Sequence, residues 1–352
     1  MDNKTHLVAR LRGTAEIGAE LAARPECGPG DIIVQVRLCG ICGSDLAMYR
    51  GGAAMVGAIL GHEFVGHISE VGAQTSGFAL GQRVVVNPMI EMIGLGKAAG
   101  AFANYARVAD ARIGINVFPV PDSVSDEMAA LVEPYAVALR AASLSGIEAG
   151  KKAVIFGAGA IGLCILAALR DRGVEDVVVI EPSQRRREVA TAMGAMSTID
   201  PLSQEVHSTV LAALGSEDLG FGDYGPLGTA QAVFDCAGVP GILPASLRLL
   251  GARGRLVIVA EPKDPSLPDL RLLQWRELSV VGVLAYAEEF AASIERVSSG
   301  AVDLLPLISH RFPLRDISNA FAMQMDAEAA VKVLVEAGLV AKPTIPCSLA
   351  SR

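Results

Sequence analysis

The chain has 352 residues, more than one hydrophobic core usually serves, which predicts two domains. Apolar residues make up 51% and charged residues 19%, the composition of a well-buried globular protein, and a net charge of −8 without any basic block argues against nucleic acid as a partner. Mean hydropathy is +0.43, yet the longest apolar run, 153–169, is broken by three glycines and does not fit a bilayer span.

Residues 1–12 carry scattered charges and no apolar centre, so no export signal is expected. Residues 31–38 (DIIVQVRL) alternate apolar and polar side chains after the turn-forming Pro29 and Gly30, and predict a strand. Residues 64–71 and 82–86 predict two more, in a region punctuated by glycines. Near Ser123 the pattern changes: 126–144 has helical periodicity, with an interruption expected at Pro134. From Lys152 strands and helices alternate: strands at 154–156, 176–180, 233–235, 255–259 and 279–284, helices at 161–172 and 184–193. That alternation predicts a parallel sheet covered by helices on both faces. The Gly-rich stretch 215–228 reads as a surface loop. The segment 288–338 predicts an amphipathic helix, a Pro-bounded strand at 308–312, and a further short helix and strand. The domains expected are 1–148 with 288–352, and 149–287.

The strongest local signal is AVIFGAGAIG, 153–162. An apolar strand runs into Gly157, Gly159 and Gly162, with Ala160 and Ile161 opening a helix. The first glycine permits a tight turn, the second lets backbone approach a pyrophosphate, and the third lets helix sit on strand. The helix N-terminus favours the phosphate charge. Glu181 closes the next strand, where a carboxylate accepts hydrogen bonds from an adenosine ribose, so the motif predicts a dinucleotide site. A carboxylate there repels a 2′-phosphate and favours NAD; Arg185 and Arg186 pull towards NADP, the less favoured alternative. Cys236, after the strand 233–235, is placed at the cofactor edge.

Cys39-Gly-Ile-Cys42-Gly-Ser44-Asp45 is followed by Gly61-His62-Glu63. The CxxC admits a zinc knuckle, although no second CxxC exists, and a thioredoxin-like redox pair, which belongs at a helix N-terminus whereas this one follows a strand. A third reading has Cys42 alone as ligand, with His62 and a carboxylate, the mixed S/N/O set of a catalytic zinc site. The six cysteines (Cys27, Cys39, Cys42, Cys164, Cys236 and Cys347) are sparse and unevenly spaced. They read as thiols or metal ligands rather than a disulfide framework, consistent with a cytoplasmic protein. His67, His310 and Cys164 read as structural; Tyr49 and Met55 fit a cleft or a core equally.

GICGSD (40–45), GHEFVGHISEVG (61–72), GQRV (81–84), GAFANYARV (100–108), LVEPYAVALRA (131–141), GAGAIG (157–162), VFDCAG (233–238) and ISHRFPL (308–314) together resemble the zinc-containing medium-chain alcohol dehydrogenases, in their sorbitol, threonine and butanediol dehydrogenase branches. The resemblance covers nearly the whole chain. It implies an α/β protein with a GroES-like β-rich catalytic domain and a Rossmann doubly wound domain. It implies a zinc-dependent, NAD-linked dehydrogenase for a secondary alcohol, working as a homodimer or homotetramer. Cys42 and His62 would ligate zinc, with Glu63 and Glu133 ligating it or holding its water. Asp45 would orient His62, and Ser44 would relay the substrate proton. Arg186 would lie by the adenosine, and Val259, Ala260, Val283 and Ala285 near the nicotinamide. Two departures stand out. Residues 87–99 lack the family's four-cysteine lobe, so one zinc and no structural zinc is expected, and Ala47 stands where many relatives carry a proton-exporting histidine. The apolar stretches 53–60 and 89–95, with few polar residues beyond Glu91, favour an apolar secondary alcohol over a polyol. The competing readings are a zinc-free quinone or enone reductase of the same fold, a nucleotide-binding protein without turnover, and a hydrolytic zinc protein.

Overall fold

The computed structural model describes residues 4–51, 55–220, 224–263 and 269–338. An antiparallel hairpin of β1 (Thr5–Gly13) and β2 (Glu16–Ala23), which periodicity had not marked, opens the chain. There follow β3 (Ile32–Gly40), α1 (Gly43–Gly51), β4 (Glu63–Val71), β5 (Arg83–Val86), β6 (Tyr105–Val108), β7 (Val117–Pro119), α2 (Asp126–Ala130) and α3 (Val132–Ser145). The alternating half contains β8 (Lys152–Phe156), α4 (Ala160–Asp171), β9 (Asp176–Ile180), α5 (Gln184–Ala192), β10 (Ser197–Ile199), α6 (Val206–Leu214), β11 (Ser216–Glu217), β12 (Leu227–Gly228), β13 (Ala230–Asp235), α7 (Ile242–Leu249), β14 (Leu250–Ile258), α8 (Leu270–Trp275) and β15 (Ser279–Gly282). The chain then returns through α9 (Glu289–Ser298), β16 (Ile308–Pro313), α10 (Ile317–Met325) and β17 (Lys332–Glu336).

Two sheets organise these elements. The alternating half forms a six-stranded sheet in the order β10-β9-β8-β13-β14-β15, parallel throughout. Its chain order, 3-2-1-4-5-6, is that of the doubly wound dinucleotide-binding fold, with the strand order reversing between β8 and β13. The second sheet is mixed, in the order β16-β17-β3-β4-β5-β7, with β6 paired to the start of β3. It is closed by strands from the far end of the chain, because β17 pairs antiparallel with residues 38–40 of β3.

The mixed sheet is apolar on both faces. Val34, Val36, Cys39, Phe64, Val84 and Val86 pack with Ile317 and Phe321 of α10, while Leu38, Val65 and Val85 join the core of α3 and α4. Tyr49 belongs to the first core, its ring 5.1 Å from that of Phe321, and Met55 packs against it. That decides for a core role. Of the apolar cleft stretch 53–60, Ala53 and Ala54 lie outside the described residues, as do Cys347 and the rest of 339–352.

The helix expected over 126–144 is two. Ser125 caps α2 by accepting from the Met128 N–H, and the break comes at Leu131 instead of Pro134. Pro134 sits in the first turn of α3, where its missing N–H would have had no helical partner in any case. The expected surface loop 215–228 contains a short strand pair, β11 with β12, and Leu227 is buried beneath α6 and α7; residues 221–223 lie outside the described residues. An apolar leucine among glycines anchors the segment.

Candidate active site

The nucleotide loop links β8 to α4. Gly157 has φ of +94°, a left-handed conformation that a side chain rarely adopts. Gly159 is the N-cap of α4, and a Cβ there would meet nothing closer than the Arg186 guanidinium at 4.0 Å, so its backbone face is open. A Cβ on Gly162 would overlap the Gly157 carbonyl oxygen. Cys236 donates its N–H to the Phe156 carbonyl at 2.9 Å, at the point where the strand order reverses. Val259 and Ala260 both donate N–H groups to the Asp235 carbonyl, and Val283 donates to Ile258, so the three cap the same sheet edge. Ala285 follows with φ of +51°.

Glu181 is buried. Its carboxylate accepts from the Ala158 N–H at 2.7 Å and the Ser183 N–H at 3.0 Å, which fixes the acid against the glycine loop. Arg186 donates twice to the Ala330 carbonyl, at 2.8 and 3.0 Å. Arg187 donates to the Glu181 carbonyl and pairs with Asp200. Arg185 alone of the three is exposed.

The metal-type residues converge at the other end of β3. Cys42 ends the β3–α1 connection, and its N–H donates to Asp45 Oδ2 at 2.8 Å, a carboxylate in the first helical turn reaching back to the helix start. His62 immediately precedes β4, and Glu63 opens it. The ligand atoms of Cys42, His62 and Glu63 lie within 4.8 Å of one another. Asp45, fully buried, accepts from the Gly61 N–H at 3.2 Å and faces His62 Nδ1 at 3.5 Å. Ser44 Oγ lies 3.4 Å from His62 Nε2. Glu133, in the first turn of α3, is buried beside His62, Glu63 and Tyr286, whose hydroxyl donates to Asn87 Oδ1 at 3.2 Å. Burial pushes the Glu133 carboxyl up from its ordinary range. Burial disfavours the imidazolium of His62, but Asp45 and Cys42 outweigh it and hold the ring well above its usual value.

These residues fit a zinc ion. Thiol, imidazole and carboxylate are its usual donors, they converge in a buried place, and three carboxylates (Asp45, Glu63 and Glu133) gather there, with the buried Lys332 ammonium against Glu63. Sites of this kind also fix the second imidazole nitrogen with an acid, the position Asp45 takes.

Residues 28–122 match the alcohol dehydrogenase GroES-like domain and residues 160–299 the zinc-binding dehydrogenase family. The 2-dehydro-3-deoxy-L-galactonate 5-dehydrogenase of Pseudoalteromonas atlantica is 32% identical over 330 residues, covering 87% of this chain and 92% of the relative. The chain belongs to the zinc-binding medium-chain alcohol dehydrogenases. It is an oxidoreductase of the alcohol dehydrogenase type. The (R,R)-butanediol dehydrogenase of Bacillus subtilis is 29% identical over 356 residues, 93% of this chain and 98% of the relative, and the solved structure of 2R,3R-butanediol dehydrogenase from Bacillus subtilis superposes with a TM-score of 0.84, covering 94% and 99% of the two chains. Two more solved structures of this fold hold nicotinamide dinucleotides. The E. coli CFT073 protein rspB is complexed with NADH (TM-score 0.83, 25% identity, 95% and 100% covered), and a zinc-binding dehydrogenase assigned to Sinorhizobium meliloti 1021 is bound to NADP (0.83, 28%, 94% and 99%).

Two expectations about the dehydrogenase change. The CxxC does end at a helix N-terminus, since α1 starts at Gly43, so that ground for setting aside a redox pair fails. The pair is unsuited for a different reason: Cys39 is wholly buried and its thiol is pushed well above the ordinary range by burial. Polar groups near the site are also richer than Glu91 alone suggested, because Asn87 and Tyr286, 199 residues apart, meet there. Reading the chain for motifs missed these two and Lys332. A lysine inside the apolar run 330–335 was the available signal. A surface cavity of about 430 Å³ lined by Arg37, Arg83, Arg311, Asp126 and Glu127 shares no residue with this site, and its arginines are paired with its acids. Among the described residues no helix is long and apolar enough to cross a membrane.

Proposed function

We propose that the chain is a zinc-dependent, NAD-linked dehydrogenase that oxidises a small secondary alcohol reversibly to a ketone. In this reading residues 1–148 and 288–352 form the metal and substrate unit, and 149–287 the cofactor unit. The observation that carries it is the convergence of Cys42, His62 and Glu63 in a buried acidic place.

Cys42 and His62 would hold the metal, with Glu63 and Glu133 supplying negative charge around it. When bound, zinc would supply a Lewis acid favouring loss of the alcohol proton, and a nicotinamide would supply the hydride acceptor. Ser44 would lie beside the reacting alcohol and pass its proton on. Asp45 holds the imidazole in place through Nδ1. The exposed Ala47 can carry no proton, so the proton would leave through the cofactor ribose and water or through another group. Gly157, Gly159, Ala160, Ile161 and Gly162 receive the pyrophosphate at the start of α4, while Cys236, Val259, Ala260, Val283 and Ala285 border the nicotinamide.

Support for NAD over NADP comes from the buried Glu181, fixed where the ribose hydroxyls would lie, and from the engagement of Arg186 and Arg187 with carbonyls and Asp200. Apolar Met89, Ile90 and Leu95, with Asn87 and Tyr286 as polar partners, suit a short alcohol or vicinal diol. The outer strand β15 carries Val280 and is followed by Leu284, 90% exposed, which favours assembly of two copies along that edge.

A screen for NADH formation across secondary alcohols, diols and polyols, with zinc measured on the same sample, tests the reading. Alcohol-dependent NADH formation that disappears with the metal is expected. Full activity in metal-free protein, or none with any alcohol on zinc-loaded protein, overturns it.

A further inference from the structure

Asn87 follows β5 in a half-buried position, and its own N–H donates to the Asn116 carbonyl at 2.9 Å, which fixes its main chain. Its side-chain oxygen accepts twice, from the Met89 N–H at 3.1 Å and from the Tyr286 hydroxyl at 3.2 Å. A backbone N–H can only donate, so the amide cannot be turned over without setting donor against donor. Nδ2 is therefore held on the other branch of the amide. It carries two protons, has no protein partner among the described residues, and is not sealed from solvent. Tyr286 is held too, its ring 5.3 Å from that of the buried Phe290. It comes three residues after Val283, which caps the edge of the parallel sheet, and it lies beside Glu133, which is buried next to His62 and Glu63. The Asn87–Tyr286 bond thus joins the two units of the chain at the place between the metal-type residues and that sheet edge.

We propose that Asn87 determines substrate choice: its Nδ2 donates to an acceptor oxygen carried by the carbon next to the carbinol, so the site prefers a secondary alcohol with an oxygen there over a plain hydrocarbon alcohol of the same size. The inference rests on the dehydrogenase reading above and deepens it. The reacting alcohol has to lie between the metal-type residues and the nicotinamide edge, and the amide is fixed beside that path. Its carbonyl side is spent on Met89 and Tyr286, so only donors are offered to a ligand. An amide carries no charge, so what it selects is a neutral lone pair. A hydrocarbon in the same place strips water from two N–H groups and returns nothing, and that unpaired donor is the penalty that rejects it.

The test compares 1-methoxy-2-propanol with 2-pentanol, which differ by an ether oxygen in place of one methylene. An ether oxygen can only accept, so it reports the donor. In the zinc-loaded unaltered protein the ratio of kcat/KM favours the ether at least about 10-fold. N87D keeps an oxygen for Met89 and Tyr286 and replaces the donor by an acceptor; the ratio falls at least about 10-fold, and N87A lowers it in the same direction. A second readout needs no turnover: calorimetric titration of the NAD⁺ complex with methoxyacetone and with 2-pentanone, neither of which can react with oxidised cofactor. Methoxyacetone binds at least about 10-fold more tightly to the unaltered protein, and N87D removes the difference. Equal ratios in the unaltered protein, N87D and N87A, or no preference in the unaltered protein, overturn the proposal and leave Asn87 a brace for Tyr286. Should neither variant fold, the ketone titration of the unaltered protein decides by itself, tighter methoxyacetone supporting the proposal and equal affinity defeating it. Zinc-loaded protein that oxidises neither alcohol and binds neither ketone gives a different result, which sinks the dehydrogenase reading and this inference with it.

Discussion

Ser44 sits 3.4 Å from His62 Nε2 on the first turn of α1. If it relays the substrate proton, Ser44→Ala lowers kcat by about 100-fold or more while the KM for NAD stays put; steady-state kinetics with both substrates varied separates these. Glu181 acts at the opposite end of the cofactor. Each of its oxygens already accepts one backbone N–H, which fixes the carboxylate and leaves each oxygen a further lone pair for a ribose hydroxyl. Loss of hydrogen bonds to a charged group costs about 1.5–3 kcal/mol, so Glu181→Ala weakens NAD binding by about 10- to 100-fold and narrows its preference over NADP. Titration calorimetry with both dinucleotides checks this; equal affinity for the two in the unaltered protein would count against NAD. These residues were legible because each sits inside a motif with a stated chemical reason. Lys332, Tyr286 and Asn87 were not, because each acts through a partner distant in sequence that only the fold supplies.

At the level of elements, the β8–α4 junction depends on absence of side-chain volume. A methyl group on Gly162 has no place beside the Gly157 carbonyl, so the helix must move off the strand and carry its N-terminus with it. Overpacking of this sort typically costs about 1–3 kcal/mol. Gly162→Ala is therefore expected to lower the thermal midpoint and to weaken NAD binding by more than about 10-fold, since the anion site is that helix start; a variant that melts lower but binds NAD normally would show that α4 does not hold the pyrophosphate. Periodicity found most of the alternating half, where strands are apolar runs and helices follow at regular intervals. It failed where a neighbour overrides local pattern. The helix break at Leu131 and the strand pair around 216–228 both depend on what lies beneath them. The hairpin of β1 and β2 escaped for a related reason: β2 is only partly buried and weakly patterned, with Leu21 turned to solvent.

Two predictions belong to the whole molecule. His6, His67 and His207 are each depressed below the ordinary imidazole value of 6.5, burial being the largest cause in all three. A depressed group contributes stability that is present above its unfolded value and lost as pH falls through its folded one. The thermal midpoint should therefore drop between about pH 7.5 and about pH 5.5, and less so in an H6Q/H67Q variant. An identical drop in both proteins would assign it to other groups. The second concerns assembly. The outer edge of a parallel sheet that presents Val280, with Leu284 exposed just beyond it, invites a second copy to add its own edge. Val280→Lys should shift the mass in light scattering towards a monomer; a monomeric unaltered protein would remove the premise.

Taken by itself, the order of residues determined the doubly wound half, the glycine loop with its acid, and the cysteine, histidine and carboxylate candidates. Their reasons are local: a turn needs a glycine, a helix start attracts phosphate, and a thiol next to an imidazole suits zinc. What the tertiary structure alone decided was which charges face one another. The pairing of β17 with β3 carries Lys332 onto Glu63 across 269 positions of chain, and a buried ammonium can only be read from the carboxylate it meets.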